Sequence, residues 1–299
     1  MAVDRLHPPG KQEPMLTAPG HGREVVNVFS VDVEDYFHDE AFRHLLTPND
    51  WETLEQRVEP ATRRLMAMLE EFDVKGPFFV LGWVAERQRD LVADIHREGH
   101  EVAIHGYDHR PIFAMSPEEF REDIRKALSI VSDIIGAQIL GYRAPTFSVV
   151  NDTRWALEIL AEEGIRYDSS VFPIVHDRYG IPDADRHPYV EHLRAGDLVE
   201  FPMPTIRVAG RNLPFVGGGY QRLLPMAWVR WGMRNAVERE HRPVMTYVHP
   251  WEIDPGHPVI DVGGLARLRH YHGLSKVETR LRELLHSYRF DTAREVLGL

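Results

Sequence analysis

Apolar, β-branched runs alternate with stretches of helical period along most of this chain, and several of those runs stop on a polar residue that a buried strand does not need. The strand-like runs fall at 25–33, 76–82, 101–105, 138–142, 165–167, 198–201 and 244–248. Between them, "EPATRRLMAMLEEF" sets Leu65, Met68, Leu69 and Phe72 on one helical face. "SPEEFREDIRKALSIVSDIIG" opens on a serine cap and a proline, carries acids in its first turn and closes on Gly136. "NDTRWALEILAEEG" opens on Asn151 or Asp152 and stops at Gly164. Such alternation implies an α/β fold with a largely parallel sheet or barrel. In those folds the carboxyl ends of the strands converge on one rim, where ligands bind and chemistry is done.

The unusual polar residues fall at those ends. Asp32 and Glu34 close the first strand, His105 closes "EVAIH", Arg143 "ILGYR", Asp168 "IRYD" and His249 "VMTYVH". Asp32 belongs to a crowd with Glu34, Asp35, Asp39 and Glu40. One carboxylate there could cap a helix, but so many close together repel unless a cation offsets them. His105 and His109 stand four apart after an apolar strand, a spacing that brings two imidazoles onto one ion when the backbone turns helical. His96 and His100 share the spacing but read as the exposed end of a helix that stops at Gly99. Arg143 alone could be a buried ion-pair partner, His249 a satisfied core histidine, and Asp168, before two serines, a turn cap as readily as a catalytic acid.

Composition removes other options. The chain of 299 residues has no cysteine, so any metal sits on histidine and carboxylate. A formal charge of -11 argues against nucleic acid or an anionic bilayer as the main partner. No apolar run reaches the roughly 18 residues of a membrane span. Residues 1–23 read as a disordered leader without an apolar signal segment, which points to a cytoplasmic protein, alone or peripheral to the inner membrane. Residues 173–220 read as long loops over one face, "GGGY" at 217–220 as a tight turn near the site, and "SKVETRLRELLHSY" as an amphipathic helix.

Taken in order, "SVDVED", "HGYDH", "YRAPTF", "YDSSVFP" and "YVHPWE" resemble the NodB-homology polysaccharide deacetylases of carbohydrate esterase family 4. "VDVEDYF", "GGGYQRLLP", "HPWEIDP" and "LRHYHGLSKVETRLRELLHSYRF" are similar to the branch found with exosortase and exopolysaccharide loci, whose C-terminal part is a domain of unknown function, DUF3473. The resemblance implies a distorted (β/α) barrel with fewer than eight strands, formed by residues 24–299 as a single domain with 250–299 as a DUF3473-like extension packed on it. It implies one divalent metal ion, zinc first, with cobalt, nickel or iron as alternatives, held by His105, His109 and a carboxylate. It makes Asp32 the general base, Arg143 the residue that orients it and His249 the general acid, with the backbone N–H of Thr146 serving the oxyanion.

Three departures from the family pattern matter. Val33 separates two acids that are usually adjacent, so the third ligand is Glu34 or Asp35, with Glu34 favoured. Gly106 replaces a hydroxyl residue after the first ligand histidine, and Thr146 replaces an aromatic. The implied reaction is hydrolytic N-deacetylation of N-acetylhexosamine units of an exopolysaccharide or its precursor, with Tyr36, Phe37 and Trp251 as surfaces for a sugar ring. The rival readings are a hydrolase of a non-sugar amide or imide on the same fold and a non-catalytic carbohydrate-binding relative.

Overall fold

The computed structural model describes residues 13–14 and 24–299. The rest of the expected leader lies outside the described residues. In chain order the strands are β1 (Glu13–Pro14), β2 (Val26–Val33), β3 (Pro77–Val80), β4 (Glu101–Ile104), β5 (Gly141–Tyr142), β6 (Tyr167–Asp168), β7 (Tyr189–Leu193), β8 (Gly196–Glu200), β9 (Thr205–Val208), β10 (Arg211–Pro214), β11 (Met245–Val248) and β12 (Arg289–Asp291). The helices are α1 (Val58–Glu71), α2 (Gly82–Arg87), α3 (Arg89–Arg97), α4 (Pro117–Ile135), α5 (Trp155–Glu162), α6 (Gly218–Leu223), α7 (Met226–Arg234), α8 (Gly264–Tyr271), α9 (Leu274–Ser287) and α10 (Ala293–Leu297).

The main sheet runs β1-β7-β8-β6-β5-β4-β3-β2-β11, with β12 also paired to β2. From β8 to β11 every pairing is parallel, as the alternation of strands and helices predicts. β2 sits inside the sheet and is buried along nearly its whole length, the behaviour of a strand covered on both faces. Both C-terminal strands, β11 and β12, add to β2, which ties the last segment of the chain into the sheet.

The hydrogen-bonded ladder is an open path and not a closed ring among the described residues. The physical reason lies at its far edge, where β7 folds back antiparallel on β8 and takes the side that a closing strand would need. The sheet nevertheless curls. Arg143 follows β5, yet its guanidinium donates to Ser30 Oγ on β2 at 2.8 Å and lies 2.9 Å from Met245 Sδ on β11. In a flat sheet with strands about 4.8 Å apart, β5 and β11 would be about 19 Å from one another.

Local chemistry explains both ends of α4. Ser116 Oγ accepts from the Glu119 N–H while Glu119 accepts from the Ser116 N–H at 2.8 Å, a reciprocal cap for α4. Gly136, at φ +64°, ends that helix in the left-handed region. α5 begins later than expected: Asn151–Thr153 form a separate turn in which Thr153 Oγ1 accepts from the Val150 N–H at 2.8 Å, and neither Asn151 nor Asp152 caps the helix. Within 173–220, read as loop apart from the strand expected at 198–201, β7 pairs with that strand, β8, and β9–β10 form a second hairpin. No helix among the described residues is long and apolar enough to cross a membrane.

Candidate metal centre and active site

Side chains alternate across a strand, so residues two apart share a face. Asp32 and Glu34 therefore enter the interior together at the end of β2, while Val33 packs into the core behind. The intervening valine separates two carboxylates that must do different things on one face.

Glu34, His105 and His109 each bring one ligand atom into a group whose members lie within 4.8 Å of one another. Glu34 Oε2 is 2.9 Å from His109 Nε2 and 4.0 Å from His105 Nε2. That oxygen is buried and has no aligned hydrogen-bond partner, an expensive state for a carboxylate unless a cation completes it. His105 Nδ1 lies 2.7 Å from the Arg143 carbonyl. Because that oxygen can only accept, Nδ1 carries the proton and Nε2 turns its lone pair inward, as a metal ligand requires. Burial, helped by neighbouring His109, lowers the His105 pKa to about 4 and keeps the ring neutral. Burial opposes the charge of Glu34, but His109 and His249 outweigh it and hold the carboxyl well below its ordinary range. Two imidazoles and a carboxylate suit a divalent transition metal, zinc among them, and the donor set fits such an ion.

Gly106 and His109, at φ +74° and +57°, turn the chain between the two imidazoles. A Cβ at Gly106 would stand 3.1 Å from Asp123 Oδ2, and that same oxygen accepts from the Tyr107 N–H at 3.0 Å. Asp123 thus occupies the place of the hydroxyl that Gly106 lacks.

Asp35 is not brought to the cluster. Its Oδ1 accepts from the Tyr36 N–H at 2.9 Å, and its Oδ2 from the N–H groups of Arg57 and Val58 at 2.6 and 2.9 Å. Both oxygens are committed to capping the short turn after β2 and the start of α1, where a carboxylate satisfies orphan donors. Asp39 is similarly engaged, with the Ala41 N–H on Oδ1 and His270 Nδ1 3.1 Å from Oδ2.

Opposite the ligand cluster, Asp32 Oδ1 lies 2.5 Å from Arg143 Nη1. Arg143 is wholly buried, and its remaining donors go to Ser30 Oγ and to the carbonyl and hydroxyl of Ser169. The other oxygen, Asp32 Oδ2, is 3.9 Å from His249 Nε2, which is 3.6 Å from Glu34 Oε1. His249 Nδ1 and backbone N–H both lie 3.0 Å from Glu252 Oε2. Burial disfavours the imidazolium, yet Glu34, Glu252 and Asp32 together push the His249 pKa up to about 9. Nε2, the one nitrogen left free, faces the carboxylates with its proton.

Thr146 and Phe147 adopt φ +57° and +51° without being glycine, a strained pair that costs on the order of 1–3 kcal/mol per residue and clusters at functional sites. Asp168 stands one step away from this constellation. It accepts from Ser170 Oγ at 2.5 Å, and Ser170 Oγ in turn accepts from the Ala144 N–H at 2.7 Å. Asp168 therefore braces the Arg143–Thr146 loop from behind, because its strand parity aims it away from the interior face. Burial pushes its pKa up to about 6 beside the equally buried Glu200.

The expected sugar platforms are core. Tyr36, Phe37 and Trp251 are each 2% exposed or less. Trp251 stacks on His249 with ring centroids 5.2 Å apart and on His270 at 4.2 Å, and its Nε1 donates to Glu34 Oε1 at 3.3 Å. His100 turns its Nδ1 to the Gly76 N–H at 3.3 Å, apart from the cluster. A cavity of about 140 Å³ opens beside His109, lined by His38, Asp39, Glu40, Trp51 and Asp108 among others.

Glu252, Arg222 and Asp123 escape a reading of the sequence. For Glu252 a signal exists: "HPWE" has the proline and the acid three residues on that mark a helical first turn with a back-reaching carboxylate. Arg222 and Asp123 carry no comparable mark, since only the fold brings them close.

Two family models match the chain. Residues 46–167 match the family model of polysaccharide deacetylase, and residues 169–298 match DUF3473, a domain of unknown function. A peptidoglycan deacetylase of Helicobacter pylori is 29% identical over 108 residues, 36% of this chain and 36% of that protein. A peptidoglycan-N-acetylglucosamine deacetylase of Bacillus cereus is 31% identical over 98 residues, 32% of this chain and 36% of that one. The chain thus spans about a third of the length of the curated relatives it matches. A crystal structure of a putative polysaccharide deacetylase from Mycobacterium smegmatis superposes with a TM-score of 0.59 at 21% identity, covering 96% of this chain and 94% of that one, a likeness of fold.

Proposed function

Since the chain carries a NodB-type polysaccharide-deacetylase domain joined to a DUF3473 domain, we propose that it is a metal-dependent hydrolase that removes acetyl groups from N-acetylated hexosamine units, releasing acetate. The observation that carries this reading is the ordered set at one rim: a Glu34/His105/His109 cluster with an arginine-held carboxylate and, within 4 Å of both Asp32 and Glu34, the His249 imidazole. A divalent ion held by those three residues, zinc by preference, supplies Lewis acidity that polarises the acetyl carbonyl and acidifies water.

The chain's own residues do the rest. Arg143 fixes Asp32 with one oxygen engaged and the other open, so Asp32 accepts the proton that water loses as it adds to the carbonyl carbon. The Thr146 N–H, presented by the strained turn, serves the developing oxyanion, where a well-placed donor contributes about 3–4 kcal/mol. His249 delivers its Nε2 proton to the nitrogen as the C–N bond breaks, and acetate and a free amine leave. Glu252 keeps that ring aimed. Asp168, in this reading, acts only through Ser170 on the loop that carries Thr146.

The finer assignments follow the resemblance of the motifs. The substrate is an exopolysaccharide or its precursor, handled in the cytoplasm or at the inner face of the membrane. Residues 24–299 work as one domain, its curled parallel strands forming a distorted barrel with its gap beside β11. The test is acetate release from N-acetylglucosamine oligomers by the zinc-loaded protein, with Asp32→Asn as comparison. Acetate from wild type and none from Asp32→Asn supports the proposal; hydrolysis of cyclic imides or ureides without acetate release overturns it.

A further inference from the structure

The part of the chain that matches a domain of unknown function, residues 169–298, supplies His249 and Glu252 to the site and backs them with one buried cation. Arg222, on α6, is 5% exposed, and its Nε lies 2.5 Å from Glu252 Oε1. Its Nη1 donates to the carbonyls of Arg269, His270 and His272 at 2.8, 2.7 and 3.2 Å. Those oxygens close α8, the negative end of a helix, where orphan acceptors and the dipole both favour a cation. The guanidinium also lies 5.1 Å from the centroid of Trp251, whose opposite neighbours include His249.

The seat is itself fastened. Arg280, on α9, donates to the carbonyls of Gln221, Arg222 and Leu224. At the corner between α8 and α9, Gly273 sits at φ +81°, and a Cβ there would stand 3.0 Å from the Arg222 carbonyl. The corner approaches the Arg222 backbone because Gly273 has no side chain. None of these contacts is made to the parallel sheet or to Glu34, His105 or His109.

We propose that Arg222 is a positioning residue through which α8 and α9 hold Glu252 against His249 and so keep the acid half of the active site aimed. The inference rests on the deacetylase reading above. Glu252 has Oε1 on Arg222 and Oε2 on the ring and backbone N–H of His249; without Arg222, Oε1 is a buried oxygen without a partner, and the carboxylate that aims the imidazole loses its second anchor. Lysine does not substitute, because a point charge cannot span a carboxylate on one edge and three carbonyls on the other.

The test uses the full chain loaded with zinc, with Arg222→Met and the charge-retaining Arg222→Lys, on two substrates. An N-acetylglucosamine oligomer has an amine leaving group that needs a proton; 4-nitrophenyl acetate has one that departs without it. The proposal expects amide hydrolysis to fall about 10²-fold in both variants, while ester hydrolysis stays within about threefold of wild type and zinc content is unchanged. If Arg222→Met does not fold, Arg222→Lys carries the test. Rates that fall together with loss of zinc, or that do not fall at all, overturn the inference while leaving the deacetylase reading standing. A wild type inactive on every N-acetylated oligomer overturns that reading, and this inference with it.

Discussion

Replacing Arg143 by methionine leaves Asp32 as a charge 2% exposed whose nearest remaining cation is the His249 ring, 3.9 Å from Oδ2 and without a hydrogen bond to it. The side chain removed makes a 2.5 Å contact with that carboxylate, bonds to Ser30 and Ser169, and lies 4.1 Å from the centroid of Phe79. Breaking one partner out of a buried ion pair costs about 3–5 kcal/mol, because the other is stranded. Methionine refills most of the apolar volume, so the loss reports the stranded charge and not a cavity. Equilibrium urea denaturation of metal-loaded protein measures it, through the midpoint at unchanged slope. Adding Asp32→Asn to Arg143→Met removes the stranded charge and recovers about 2 kcal/mol or more of the loss, without restoring activity. A single variant that loses less than about 1 kcal/mol, or a double variant no more stable than the single, refutes the claim that Arg143 is there to hold an ionised Asp32.

Other expectations follow from the same geometry. Asp35→Ala strips acceptors from three N–H groups and lowers stability by about 2 kcal/mol or more while leaving metal stoichiometry unchanged; Glu34→Gln does the reverse, and elemental analysis beside thermal melts separates the two. Asp168 and Glu200 both have folded-state pKa values raised by burial, Asp168 from 3.8 to about 6. The folded chain therefore holds more protons than the unfolded one across that window, and stability falls as pH rises through it; Glu200→Gln flattens the slope in denaturation series from pH 4 to 8. A Cβ at Gly217, where φ is +94°, would stand 2.4 Å from the Tyr247 ring, whereas one at Gly219 meets nothing nearer than Arg222 Nη2 at 3.7 Å. Gly217→Ala accordingly costs about 2 kcal/mol or more and Gly219→Ala is tolerated, as thermal melts would record.

The parts of this protein legible in the sequence are those with a local cause. The buried strands announce themselves by β-branched runs, α4 by its reciprocal serine and glutamate cap, and the ligand triad by polar residues at strand ends. The D-x-E spacing even contains the choice of Glu34 over Asp35, since strand parity puts Glu34 on the face of Asp32. What could not be read depends on distant segments. Asp35 is withdrawn by the N–H groups of Arg57 and Val58, more than twenty residues on. Tyr36, Phe37 and Trp251 look like sugar platforms in isolation and prove to be core because distant segments cover them: His257, in the loop before α8, stacks on Tyr36, Trp51 and Trp83 pack on Phe37, and His270 of α8 stacks on Trp251. β8 is foretold by the apolar run at 198–201, whereas β7, β9 and β10 hide because they are short, partly exposed and rich in polar residues. Sheet closure fails for a reason in β7, which no periodicity in the preceding strands foretells.

The most direct test of the account is a metal titration of activity. Protein stripped with a chelator is given zinc in increments, and acetate release from an N-acetylglucosamine oligomer is measured at each step, with His109→Ala in parallel. Activity that rises linearly and stops at one equivalent in the wild type, and stays absent in the variant, is the predicted result. Acetate release that survives stripping, or that fails to appear at one equivalent of bound zinc, contradicts a catalytic ion on Glu34, His105 and His109.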